Sequence, residues 1–231
     1  MLGFYDYTMF LTFASLVSAS IGIVISLLGL GHPFIGMFFL LFCGLCDAFD
    51  GKVARTKKNR TEIENKFGIQ IDSLCDVIAF GVLPTCIGAA LVVRSEIVSF
   101  WKSGDGLWFS IACYAVMALY SLAAMIRLAY FNVTEEERQK TETGARKYYM
   151  GLPVTSASLI FPFFLMIQYI CQKFFHTDIT YVYFIVMLAV AIAFVSKFHL
   201  KKPGMRTLLI MIGIGLAEAA IMIAALLITA S

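Results

Sequence analysis

Long apolar runs separated by short polar ones dominate the chain. A hydrocarbon layer about 30 Å thick is crossed by about 20 apolar residues of helix. Runs of that kind lie at about 9–31, 33–50, 68–93, 107–131, 152–171, 180–198 and 206–229. They predict an all-α fold: a polytopic transmembrane helix bundle of about six or seven spans, in a single integral-membrane domain over 1–231. Gly31-His32-Pro33 reads as a tight turn, so the first two runs are expected to form an antiparallel hairpin. The first run has neither a basic lead-in nor a small-residue cleavage pattern, so it does not read as a signal peptide. There is no repeat or low-complexity tract, and no separate soluble domain is expected between the runs.

Composition agrees with the pattern. The chain is 60% hydrophobic and 14% charged, against roughly 25% charged in an average soluble domain. A net charge of +3 is too small to suggest a nucleic-acid partner. Its placement is more informative. Lys52, Arg55, Lys57, Lys58, Arg60 and Lys66 fall in one connection; Arg138, Lys140, Arg146 and Lys147 in a second; Lys197, Lys201, Lys202 and Arg206 in a third. The alternate connections hold only Arg94, Lys102 and Lys173. Basic connections stay in the cytoplasm, so seven spans would start inside and end outside. Six cysteines, Cys43, Cys46, Cys75, Cys86, Cys113 and Cys171, lie mostly in apolar runs and read as small buried hydrophobes. Cys43-x2-Cys46 has no second pair at zinc spacing.

Four acids break the apolar pattern. Asp47 and Asp50 are spaced i, i+3 near the end of the second run, and Asp72 and Asp76 are spaced i, i+4 in the third. Each pair shares a helix face. Ionised carboxylates beside hydrocarbon are costly without partners. Gly51 and Ala54 continue the first face with almost no side chain, Arg55 follows within reach of a phosphate, and Gly68 permits close approach in the third run. Two antiparallel helices would bring the four carboxylates together. Hard oxygen ligands favour Mg²⁺ or Mn²⁺, and two such ions can hold a diphosphate and stabilise charge in phosphoryl transfer. An aspartate at the edge can accept a proton from an attacking hydroxyl.

Asp47-x2-Asp50-Gly51-x2-Ala54-Arg55, followed by Gly68-x3-Asp72-x3-Asp76, resembles the signature of the CDP-alcohol phosphotransferase family at every fixed position. Twelve residues separate Arg55 from Gly68, a longer gap than in many members. The resemblance implies that a hydroxyl attacks a CDP-linked lipid or alcohol, CMP leaves and a phosphodiester forms. It implies metal ligation by Asp47, Asp50, Asp72 and Asp76, with Asp76 also the general base. Gly51, Ala54, Arg55 and Gly68 would line the CDP site. Thr12, in Leu11-Thr12, and Asn65, three residues before Gly68, match positions near the nucleotide less closely. The resemblance also implies a homodimer embedded in membrane lipid.

Arg127-Leu-Ala-Tyr-Phe-Asn132, Gly151-Leu152-Pro153, Ser73 and Phe80-Gly81 are similar to the phosphatidylserine synthase branch, with Tyr130 where that branch has a second arginine. This implies CDP-diacylglycerol and L-serine as substrates, at the cytoplasmic face of the cell membrane. Arg127, a cation inside a run, would hold the serine carboxylate or a lipid phosphate; alternatively it pairs with a cluster aspartate or snorkels to the surface. Glycerol 3-phosphate, inositol or inositol phosphate as acceptor, or an archaeal ether-lipid donor, fits the same motif. An ion transporter using buried carboxylates, or a non-catalytic lipid-binding homologue, is the reading outside this chemistry. Glu218 is expected to face a neighbouring helix or a subunit contact. His32, His176 and His199 read as interfacial packing, and Trp101, Tyr148 and Tyr149 as an aromatic belt. Glu135 to Lys147 reads as a solvated loop.

Overall fold

A computed structural model describes residues 3–28, 32–95, 106–141 and 148–230. A single 3₁₀ turn, Tyr7–Met9, leads into α1 (Phe10–Leu27). There follow α2 (Pro33–Ala54), α3 (Glu62–Asp76), a π-helical turn (Val77–Val82), α4 (Leu83–Arg94) and α5 (Gly106–Thr141). A three-residue strand β1 (Tyr148–Met150) precedes α6 (Ala157–Phe174) and α7 (Thr180–Val195). Strand β2 (His199–Lys201) then precedes α8 (Met205–Ala230). Gly31, Trp101, Lys102, Arg146 and Lys147, which carried parts of the sequence reading, lie outside the described residues.

Among the described residues six helical stretches are long and apolar enough to cross a membrane, with α3, the π turn and α4 forming one of them. The seventh expected span, 180–198, is the shorter helix α7 of 16 residues. At 1.5 Å per residue it is about 24 Å long, less than the hydrocarbon thickness. Yet β1 pairs antiparallel with β2, Met150 opposite His199 and Tyr148 opposite Lys201. The start of α6 and the end of α7 therefore lie at one end of the bundle, as a there-and-back pair requires. The ribbon was not expected from the sequence.

Other contacts gather at that same end. Lys57 Nζ donates to Asp6 at 2.8 Å, Asn132 Nδ2 to Ser73 Oγ at 2.7 Å, and Lys52 Nζ approaches Met205 Sδ at 3.5 Å. The three basic connections inferred from the sequence thus share one face of the molecule. At the other end Asp178 accepts from Ser95 Oγ at 2.6 Å, Gln168 Nε2 at 2.9 Å and Thr180 N at 2.9 Å. Burial alone would raise the Asp178 carboxyl, but these donors hold it below its usual range.

In lipid, helices associate through close van der Waals packing rather than through a hydrophobic drive. The α1–α2 hairpin follows that rule: a Cβ on Gly22 would lie 2.8 Å from Phe39 Cβ, so glycine sets the approach. Ser18 Oγ donates to the Phe39 carbonyl at 3.2 Å and Cys43 Sγ to the Ser15 carbonyl at 3.3 Å, each worth about 0.6 kcal/mol on average in membranes. Deeper in the bundle Tyr120 stacks edge-on with Phe161 at 5.3 Å, and Phe161 meets Tyr183 at 5.2 Å.

The π turn follows directly after Asp76. Pro84 has no N–H to offer the Phe80 carbonyl four residues back. The Tyr120 hydroxyl donates to that carbonyl at 2.6 Å, and Ser121 Oγ donates to the Gly81 carbonyl at 3.3 Å. Tyr183 Oη donates to the Pro84 carbonyl at 2.9 Å. Helices α5 and α7 thereby satisfy carbonyls that an interrupted helix leaves available.

Helix α5 runs to Thr141, past the expected end near 131. The mixed-charge stretch read as a loop is helical as far as it is described. Glu135 pairs with Arg138 at 2.6 Å, and Lys140 lies 3.8 Å from Glu136 and 3.4 Å from Glu137. These i, i+3 and i, i+4 spacings support helix, and no proline or glycine interrupts them.

Candidate active site

The site is built on the facing walls of α2 and α3. A capping box fixes the start of α3: Glu64 N donates to Thr61 Oγ1 at 3.2 Å, and Thr61 N donates to Glu64 Oε2 at 2.8 Å. That sets the turns on which Gly68, Asp72 and Asp76 fall. Glu64 also accepts from Lys57 at 3.0 Å, tying the helix start to the connection before it.

The four aspartates lie within electrostatic range of one another, two on each helix. Asp47, Asp50 and Asp72 are half-buried, and Asp76 is 9% exposed. Asp72 lies within electrostatic range of Asp47 and Asp50, and Asp76 within range of the other three. The Asp50 and Asp72 carboxyl groups lie close enough to share a proton. The Asp50 carboxylate also accepts from Gly51 N. Among the described residues none of the four pairs with a lysine or arginine.

Two carboxyl groups this close need a proton or a cation between them, and among the described residues no lysine or arginine supplies one. The donor set is all oxygen and strongly anionic, which fits hard divalent ions. The fit is incomplete in one respect. Among the described residues no three acidic, histidine or cysteine side chains converge on a common point that would hold an ion.

Gly51 is exposed, and a Cβ there would meet nothing within 4 Å, so the space beside Asp50 is open. Ala54 is half-buried and Arg55 exposed at the end of α2. Gly68 corrects the expectation of close helix approach. A Cβ on it would meet only side-chain ends, both terminal nitrogens of Arg60 and Met9 Cε, each at 3.7 Å. The glycine leaves room beside a guanidinium, not beside a backbone. Thr12 is buried at 6% exposure in α1. Asn65 sits on the exposed side of α3, so the structure does not draw it toward the acids.

Arg127 is 6% exposed in α5. Its Nε donates to the Leu152 carbonyl at 3.1 Å, and the guanidinium lies 5.3 Å from the Phe131 ring centre. Arg127 thus binds to the Gly151-Leu152-Pro153 segment. Gly151 adopts φ +73°, and a Cβ on it would lie 2.9 Å from the Ser196 carbonyl, so the turn needs glycine. Tyr130, at the departure from the resembled motif, reaches Met150 Sδ at 3.4 Å.

The Asn132–Ser73 bond joins the end of the Arg127 motif to the residue after Asp72. Both residues lie in motifs of the sequence, but nothing in their spacing predicts that they meet. Arg60, one of six cations in a basic connection, is set beside Gly68 by the structure, which its sequence position does not predict.

The first residues close over this end. Asp6 accepts from Lys57 at 2.8 Å and from Thr8 N at 2.8 Å, Tyr7 Oη meets Thr56 Oγ1 at 3.0 Å, and Phe4 lies edge-on to Phe67 at 5.5 Å. The Lys57 ammonium and the Thr8 hydroxyl hold the Asp6 carboxyl at about 2, against its ordinary 3.8. A depressed carboxylate contributes stability above its unfolded pKa and loses it as pH falls through the folded one. Asp6→Asn is therefore expected to melt below the parent at neutral pH, with the gap closing as pH drops from about 4 toward 2. Melting curves of both proteins in detergent across that range test this. An equal gap at pH 2 and pH 6 would rule out the Asp6 charge as its source.

A family model of CDP-alcohol phosphatidyltransferases matches residues 7–231. The chain is similar to a CDP-diacylglycerol–serine O-phosphatidyltransferase of Saccharomyces cerevisiae, 34% identical over 125 residues, covering 53% of this chain and 38% of that protein. It is similar to the protein of the same description from Helicobacter pylori, 35% identical over 116 residues, 50% of this chain and 39% of that one. It is also similar to an archaetidylserine synthase of Methanothermobacter thermautotrophicus, 30% identical over 189 residues, 81% of this chain and 67% of that protein. The chain spans about two fifths of the length of the yeast and Helicobacter relatives.

Proposed function

The chain belongs to the CDP-alcohol phosphatidyltransferase family, and from that premise we propose that it makes phosphatidylserine from CDP-diacylglycerol and L-serine. It is a membrane transferase by family; serine as the acceptor is the finer reading. The serine hydroxyl oxygen attacks the phosphorus next to the diacylglycerol, the bond from that phosphorus to CMP breaks, and CMP leaves. Asp76, the most enclosed of the four acids, takes the hydroxyl proton on a carboxylate oxygen.

Asp47, Asp50, Asp72 and Asp76 would hold two Mg²⁺ or Mn²⁺ ions. When bound, these ions neutralise the diphosphate and the charge that builds on it. Gly51 and Ala54 leave space for CDP on the α2 wall, and Arg55 supplies a guanidinium at its rim. Arg127 and Asn132 hold the second motif of the serine branch against α3 and the α6 turn. That motif is the feature that selects serine in this reading. The basic connections at the same end favour the cytoplasmic face, where CMP and serine are in solution.

The observation that carries the reaction is four aspartates within electrostatic range of one another, without a basic partner among the described residues, set on the family's motif. A second donor is favoured by one comparison: the archaetidylserine synthase matches 81% of the chain. A CDP-linked ether lipid is therefore the alternative donor, with the same acceptor. Purified protein with Mg²⁺ or Mn²⁺ is given CDP-diacylglycerol or its ether counterpart and, in turn, L-serine, glycerol 3-phosphate, inositol and inositol phosphate. CMP release that depends on serine is the expected result. Release with another acceptor and none with serine overturns the choice of alcohol. No release with any pair overturns the transferase reading of the site.

A further inference from the structure

Arg60 lies in the connection between α2 and α3, but its side chain is turned back onto α3 beside Gly68. Nη2 donates to Thr8 Oγ1, and that hydroxyl in turn donates to Asp6. Nε is enclosed and has no acceptor. Among the described residues no carboxylate lies within 4.0 Å of the guanidinium. Lys57, three residues earlier, has two acids, Asp6 at 2.8 Å and Glu64 at 3.0 Å. The carboxylates of this corner are therefore committed to Lys57.

A half-buried guanidinium bonded to one neutral hydroxyl is electrostatically incomplete. Its planar fork is shaped for an oxyanion with two acceptors on one side, which a phosphate provides and a single hydroxyl does not. Its position is specific as well. Gly68 opens the second half of the acid motif, with Asp72 one helical turn further on, about 6 Å along the axis. The missing side chain at 68 leaves the guanidinium face clear toward α3. Arg55 stands at the end of the α2 wall, and Arg60 against the α3 wall.

We propose that Arg60 is a second phosphate anchor for the cytidine nucleotide, binding a phosphate of the CDP-linked donor and of the CMP product. This rests on the reading of the aspartate site as a CDP-donor site. Thr8 orients Arg60 and does not itself bind the nucleotide.

The test compares Arg60→Gln and Arg60→Lys with the parent in CMP binding, cytidine binding, donor and serine kinetics, and melting with and without CMP. Arg60→Gln is expected to raise the CMP Kd and the donor KM by about 10- to 100-fold. The serine KM and the cytidine affinity should stay within about twofold, with Arg60→Lys recovering part of the loss. Melting without CMP should not fall, because the variant removes an unfilled buried donor, but the stabilisation by CMP should shrink. A purely structural role predicts the reverse: a lower melting point and losses toward both substrates. A CMP Kd and donor KM within twofold of the parent overturn the proposal. Equal loss of cytidine and CMP affinity overturns the phosphate assignment. If the parent protein binds no CMP and releases none with any acceptor, the donor-site reading fails and this one with it. If the parent does both and Arg60→Gln matches it, only Arg60 is wrong.

Discussion

Asp76→Asn is expected to abolish CMP release while leaving CMP binding nearly intact. The substitution is almost isosteric, and Asp76 is within electrostatic range of the other three acids and largely shielded from solvent. Packing and the shape of the donor site are thus kept, while the group that accepts the serine proton is lost. Removing a general base costs about 10²- to 10⁴-fold, and the loss of one anionic oxygen ligand adds to it. Single-turnover CMP release and the melting shift produced by CMP separate the two effects. A variant that turns over like the parent removes Asp76 from the proton-transfer role. A variant that also loses CMP binding makes it part of the donor site instead.

The second large effect is expected from chelation. Two like charges 4 Å apart at an effective dielectric of 20 repel by about 4 kcal/mol, and this cluster has no lysine or arginine among its described neighbours to offset that. Stripping divalent ions with EDTA should abolish turnover and lower the melting temperature, and Mg²⁺ or Mn²⁺ should restore both. Asp50→Asn should split the two readouts. Its amide can donate to Asp72 where two carboxyl groups now lie close enough to share a proton, so in EDTA the variant should melt above the parent although it is inactive. With Mg²⁺ present the order should reverse, because the parent gains a ligand pair that the variant lacks. A parent protein whose activity and melting ignore EDTA, or an Asp50→Asn protein with an unchanged metal response, would sink the divalent reading.

The placing of the aspartates on two helix faces was legible because helix periodicity is a local property. The spacings i, i+3 and i, i+4 place each pair on one face, and the capping box at Thr61 and Glu64 starts α3 where those turns require. That the two pairs come within electrostatic range followed from the hairpin logic of apolar runs joined by a short connection. The grouping of the basic connections at one end was legible for the same reason, since it depends only on counting crossings.

Long-range side-chain bonds were not legible. Asn132 and Ser73 are 59 positions apart, and the packing of α5 on the π turn that follows α3 brings them to 2.7 Å. Arg60 could not be told from Lys58, because the difference lies in which cation the local acids engage. The continuation of α5 was misread for another reason. A charged stretch looks solvated whether or not it is helical, and the helix is recognisable only from the pairing of Glu135, Glu136 and Glu137 with Arg138 and Lys140. The β1–β2 ribbon is three residues a side and carries no alternation long enough to read. The apolar length of α7 was overestimated because the pattern runs on toward Phe198, while the helix stops at Val195.

The π turn before Pro84 has a wider consequence. A π turn holds about one more residue than an α turn, so the helix below it is rotated by roughly 100° relative to an uninterrupted one. The upper half of this span can aim Asp72 and Asp76 at α2 while the lower half presents Leu83, Ile87 and Leu91 to the bundle. Without the offset, one face would have to serve both ends. With it, the acids take one face of the span and the apolar packing residues another.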